Sequence, residues 1–155
     1  MTDKNVSIMN IGSMGYLPQV FKKIENEKKL SIVYLGGSIT MGCNATKTEL
    51  RYVDRSAKWW QTNFPDAEIS YFNAGIGATT SQFGVARVQE HVLDKQPDLV
   101  FVEFSVNDSS SPLFMETYES LVRRLLKAES VKAVVLINNL FYDTGTNAQG
   151  IHNAI

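Results

Sequence analysis

Apolar residues recur along this chain at two spacings that alternate from one end to the other. Leu17, Val20, Phe21 and Ile24 stand at i, i+3, i+4 and i+7, the spacing of one helix face, and Pro18 is tolerated in a first turn. Leu30 to Leu35 then runs almost without a polar break. Val53, Ala57, Trp60 and Phe64 form a second helical stripe, ended by Pro65. Val85, Val88 and Val92 form a third, and Tyr118, Leu121, Val122 and Leu125 a fourth. Between the stripes lie strand-like Glu68 to Phe72 and the short apolar runs Leu99 to Phe104 and Val131 to Ile137, as expected for parallel strands covered on both faces. Helix and strand alternate four times, with a last helix-like segment from about Asn147. The pattern predicts an α/β, doubly wound parallel sheet with helices on both faces, in a single domain over residues 1–155. Trp59, Trp60 and the other aromatics fall mostly on the stripes and are expected in the core.

Three polar segments follow the predicted strands. Gly36-Gly37-Ser38-Ile39-Thr40 closes the first, Asn73-Ala74-Gly75-Ile76-Gly77-Ala78-Thr79-Thr80-Ser81 follows the second, and Val102-Glu103-Phe104-Ser105-Val106-Asn107-Asp108 closes the third. Open α/β sheets bind ligands at the carboxyl ends of their strands. In a flavodoxin-like order, 2-1-3-4, the first strand lies between the second and third. Neighbouring strands are roughly 5 Å apart, so the three exit loops can converge on one carbonyl group. Ser38 on a glycine turn can serve as a nucleophile; a phosphate-cradling or purely structural turn is the other reading of Gly-Gly-Ser alone. An α/β-hydrolase elbow needs Gly-x-Ser-x-Gly, and the second residue after Ser38 is Thr40. Gly-x-Gly-x-x-Gly does not follow the first strand, which excludes a dinucleotide site.

Composition narrows the partners. With 15 basic and 16 acidic side chains and a net charge of −1, the 155 residues generate no field to attract nucleic acid or an anionic membrane. No apolar stretch approaches a bilayer span, and the first residues lack a basic-then-apolar signal, so a cytoplasmic location is expected. The single cysteine, Cys43, excludes an internal disulfide and a cysteine-based zinc cluster; it reads as a packed or semi-exposed residue of the loop beyond Ser38. Neither a metal nor a cofactor is implied.

Taken together, the three segments resemble the SGNH (GDSL-type) hydrolase superfamily. The resemblance implies that Ser38 is the nucleophile, that the second block supplies a backbone amide to the oxyanion hole, from Gly77 or Ala78, and that Asn107 supplies a side-chain donor. Gly37 and Thr79 beside them are implied to bind substrate. Two departures stand out: the family's oxyanion glycine aligns with Ala78, and Ser105 replaces the first glycine of the third block. Alanine keeps the amide, but a positive φ there becomes costly. Asp108 reads as a turn or helix cap rather than a catalytic acid.

The family's general base comes from an Asp-x-x-His block near the carboxyl terminus, which this sequence lacks. His91, at helical spacing with Val88 and Val92, reads as a packing or surface residue, and His152 follows no Asp-x-x-His pattern. The expectation is an SGNH domain cut before a fifth strand and the motif loop, roughly 30 residues for such a unit. A second fragment or chain supplying the missing Asp and His is the partner this implies. Two functions follow. One is a serine esterase whose complete form removes acetyl groups from a carbohydrate or similar small ester. The other is a non-catalytic pseudoenzyme or carbohydrate-binding domain. Finally, Glu103 interrupts an apolar run, and a buried carboxylate needs a partner. Arg87 and the backbone amides of the Gly36-Gly37 turn are the two expected candidates.

Overall fold

The computed structural model describes residues 10–139 and His152. Four parallel strands, β1 (Lys29–Gly36), β2 (Glu68–Gly75), β3 (Leu99–Glu103) and β4 (Ala133–Leu136), form one sheet in the order β2-β1-β3-β4. That is the predicted order, with β1 between β2 and β3. The helices are α1 (Leu17–Glu27), α2 (Ser38–Met41), α3 (Tyr52–Asn63), α4 (Ser81–His91) and α5 (Pro112–Leu126). Apart from the single turn α2, each helix carries one of the apolar stripes. The expected helix from Asn147 lies outside the described residues, His152 excepted.

β1 shows why the sheet is covered twice. Its side chains alternate, so Leu30, Ile32 and Tyr34 pack with Val20 and Ile24 of α1 and Val53 and Trp60 of α3. Val33 and Leu35 point the other way, into a core with Val88 of α4 and Tyr118, Leu121 and Leu125 of α5. Tyr34 stacks on Phe101 of β3 at 4.8 Å and gives its hydroxyl to Ser56 at 2.9 Å. Burial raises the Tyr34 phenol to about 12, so it stays a neutral donor.

β2 is the edge strand that the expected order makes it, and its Tyr71 and Phe72 are exposed. Trp59, expected in the core, is 52% exposed, whereas Trp60 is buried. Consecutive helical residues point about 100° apart, so the stripe that buries Trp60 turns Trp59 outward.

At the amino ends of the strands, a buried carboxylate ties the layers. Asp98 accepts the Ser31 N–H at 2.9 Å and pairs with Lys23 of α1 at 2.7 Å. The opposite ends of the strands are held by close approach. Gly36 and Gly75 are register partners at the ends of β1 and β2. A Cβ at Gly75 would strike the Met41 backbone nitrogen and sit 2.6 Å from the Thr40 carbonyl carbon. These are backbone atoms of the serine turn and cannot swing aside. Gly75→Ala is therefore expected to lower unfolding free energy by about 2 kcal/mol, read as an earlier urea midpoint at unchanged slope. An unshifted midpoint would mean that the turn yields freely.

Candidate active site

The serine turn is built by a glycine cap and four hydrogen bonds. Gly37 caps α2, which places half-buried Ser38 in its first position. The Ser38 carbonyl accepts the N–H groups of Gly42 at 3.0 Å and Cys43 at 2.9 Å, and Gly42, in left-handed conformation, ends the turn. Thr40 is buried. Its hydroxyl pairs with that of Tyr52 at 2.8 Å, and its carbonyl accepts the Asn73 amide at 2.8 Å. Cys43 is exposed beyond the turn.

The second loop carries the backbone strain. Asn73 turns back to accept the Gly75 N–H at 2.9 Å. Gly77 faces Met41, whose methyl carbon would lie 3.4 Å from a Cβ there. Ala78 is exposed and adopts φ +56, the left-handed region anticipated as costly for alanine. Thr79 holds the loop in that shape, donating its hydroxyl to the Ile76 carbonyl at 2.7 Å. The Thr79 carbonyl accepts the Asn107 amide, also at 2.7 Å. Both polar groups of Thr79 are thus engaged within the site's own framework.

Asn107 joins the loops. Its backbone N–H bonds the Phe104 carbonyl at 3.1 Å, and its side-chain nitrogen lies where a Cβ on Gly37 would be only 2.9 Å away. An amide nitrogen carries two N–H bonds. One is fixed on Thr79, which orients the group and leaves the second for a ligand oxygen. The structure thereby brings Gly37, Ser38, Thr79 and Asn107 to one place, with Gly77 and Ala78 on the adjoining loop.

Glu103 is 1% exposed, as its place in the strand predicts, but neither expected partner holds its carboxylate. It accepts the Ser105 hydroxyl at 3.3 Å and the Val106 N–H, beside the Asn139 side chain. The Asn139 N–H donates in turn to the Ser105 oxygen at 2.8 Å. Serine at position 105, one departure from the family pattern, therefore supplies a link that glycine could not. The Gly37 N–H does reach Glu103, at 3.3 Å, but at its backbone carbonyl. Arg87 bonds elsewhere, to the carbonyls of Ala74 and Gly36.

Asp108 is a cap, of α4. One carboxylate oxygen accepts the Ser81 N–H at 2.9 Å, and the other meets His152 Nε2 at 3.0 Å. The His152 ring is fully buried and stacks on Tyr118 at 3.7 Å, nearly parallel. So enclosed, and with Nε2 already on Asp108, the ring is closed off from solvent. His91 is ten residues beyond Ser81, roughly 15 Å along α4 from the loop end. Its Nδ1 faces Arg87 at 3.3 Å. Among the described residues no cluster of three His, Cys, Asp or Glu side chains could hold a metal, and no helix is long and apolar enough to cross a membrane.

A parallel α/β domain with a serine turn at its topological switch point is the class that this fold and site define. The model of the GDSL-like lipase/acylhydrolase family matches residues 34–153, and the chain belongs to that family. A two-domain esterase active on acetylated mannans shares 47% identity over 96% of this chain at a TM-score of 0.92. The chain spans 40% of that esterase's length. The same esterase has been co-crystallised with mannopentaose. A catalytic mutant of Axe2, an acetylxylan esterase from Geobacillus stearothermophilus, is 23% identical over 79% of this chain and 65% of its own, at a TM-score of 0.60; this likeness speaks for the fold alone. No curated protein matches the chain.

Two predictions follow from the loops. Ala78→Gly removes left-handed strain of about 1–2 kcal/mol but loosens the unfolded chain by about 0.4–1 kcal/mol. The net expectation is a gain of up to about 1.6 kcal/mol in urea unfolding, and a loss would refute the strain. Burial raises the Glu103 carboxyl above its ordinary 4.5, with Asn139, Ser105 and Val106 offsetting part of the rise. The folded chain therefore holds that proton more tightly than the unfolded chain. Its contribution is full below the unfolded value and is lost as pH rises through the folded one. Measured against Glu103→Gln, wild type should lose stability as pH climbs above 4.5; parallel profiles would contradict this.

Proposed function

We propose that the chain forms the nucleophile-bearing part of a serine esterase that removes acetyl groups from a carbohydrate. The observation that carries the reading is the junction of Gly37, Thr79 and Asn107 beside Ser38, in a chain 47% identical to an esterase active on acetylated mannans. The Ser38 oxygen attacks the acetyl carbonyl while a general base takes its proton. The free N–H of Asn107 and backbone amides near Ser38 and Ala78 face the oxygen that becomes negative. The C–O bond to the sugar breaks, the base returns its proton to the departing sugar oxygen, and water then hydrolyses the acetyl-serine. The reading assigns the base to an Asp-x-x-His pair that the 155 residues do not contain.

Alone, the 155 residues should turn over acetyl esters poorly, because loss of the base in a serine triad can cost about 10⁶ in kcat. In a protein that includes the Asp-x-x-His block, a fluorophosphonate probe should label Ser38 and p-nitrophenyl acetate should be hydrolysed; Ser38→Ala should abolish both. Asn107→Ala should lower kcat by about 10²–10³ with little change in KM. Labelling that persists in Ser38→Ala would remove the nucleophile assignment. A raised KM with kcat intact would reassign Asn107 to substrate binding. Binding of acetylated oligosaccharide with no turnover would instead select the non-catalytic reading.

A further inference from the structure

Arg87, on the face of α4 toward the sheet, is 5% exposed, and no carboxylate pairs with it among the described residues. Its Nη1 donates to the Ala74 carbonyl at 2.6 Å and its Nη2 to the Gly36 carbonyl at 3.0 Å. His91 Nδ1 lies 3.3 Å from Nη1, the Phe83 ring centre 5.7 Å from the guanidinium carbon, and Nε has no partner. Desolvation alone pulls this guanidinium below its ordinary range. A buried cation is costly, and a methionine would fill most of the stem's space without that cost. What a methionine could not do is hold two carbonyls at a fixed separation, as the planar fork does.

The two carbonyls belong to different blocks of the site. Gly36 precedes Ser38 by two residues, and Ala74 precedes Ala78 by four. Resting on the esterase reading above, we propose that Arg87 is a positioning residue: it clamps the end of β1 to the end of β2 and so fixes the distance between Ser38 and the Ala78 amide. The nucleophile and an oxyanion donor ride on separate strands, and a small relative slip would open the angle between attack and charge stabilisation. Misplacement on the scale of 1 Å can cost about 10² in rate. The Gly36 carbonyl also accepts the Ile76 N–H at 3.1 Å, so the clamp adds to one backbone bond at the strand ends and acts locally there.

The test compares Arg87→Met, which keeps an unbranched apolar stem and loses every donor, with Arg87→Lys, which keeps charge and loses the fork. Hydrogen exchange is read in peptides covering residues 36–42 and 74–80, with 99–103 and 118–125 as internal references. Arg87→Met should raise exchange in the first two by about tenfold or more and leave the references unchanged, with Arg87→Lys intermediate. In a protein carrying the Asp-x-x-His block, Arg87→Met should lower kcat for p-nitrophenyl acetate by about 10- to 100-fold at a KM within about twofold of wild type. Exchange that rises everywhere, or nowhere, overturns the clamp, as does an unchanged kcat in a folded variant. Should Arg87→Met fail to fold, Arg87→Lys carries the same comparison. Failure of the esterase reading looks different: wild type itself would neither label at Ser38 nor hydrolyse the ester, while the exchange measurement would still report on the clamp.

Discussion

A side chain at position 36 or 75 would have no room, and the whole carboxyl edge of the sheet depends on that. Without a Cβ at Gly36, Thr40 can tuck beneath the turn it belongs to, within reach of Tyr52 and Asn73. Without one at Gly75, the Met41 backbone can rest on the end of β2. α2 is only one turn long and has too few internal bonds to hold itself. It exists because the strand ends let it sit down on them. Ser38 inherits its position from that seating.

Above this base the site is a set of loops that hold one another. Asn107 grips Thr79, Thr79 grips Ile76, and Gly37 leans on the carbonyl of Glu103. In the segment that carries Asn107, two buried carboxyl groups, Glu103 and Asp108, are met by the Ser105 hydroxyl, the Ser81 N–H and the His152 ring. The Arg87 guanidinium bonds the carbonyl of Gly36, just before the serine turn.

Most of the framework was legible in the sequence because the relevant signals are local. An apolar run of five or six residues between helical stripes leaves few alternatives to a buried parallel strand, and glycine and asparagine after three such runs mark the loops. The edge place of β2 follows from the expected order 2-1-3-4, but the exposure of Tyr71 and Phe72 was not legible, since such aromatics look the same inside or outside. Trp59 has a residue type that suits the core, but its phase relative to Val53, Ala57 and Trp60 points it outward. The partners of Glu103 were missed for a different reason. The cost of burying charge says that a partner must exist but not which, and Ser105 and Asn139 are small polar residues 34 apart in sequence. His152 gave no signal at all: its role depends on a long-range contact with Asp108 and a ring stack on Tyr118.

That contact gives the domain a direction in time. Asp108 and His152 are 44 residues apart, and at ribosomal rates of about 5–20 residues per second the histidine follows the aspartate by roughly 2–9 seconds. Throughout that interval the sheet-forming sequence as far as β3 has already emerged, while one oxygen of the α4 cap waits for a donor and the flat face of Tyr118 waits for its cover. The segment that carries Asn107 is thus sealed late relative to its own synthesis, by a residue made 44 positions after Asp108.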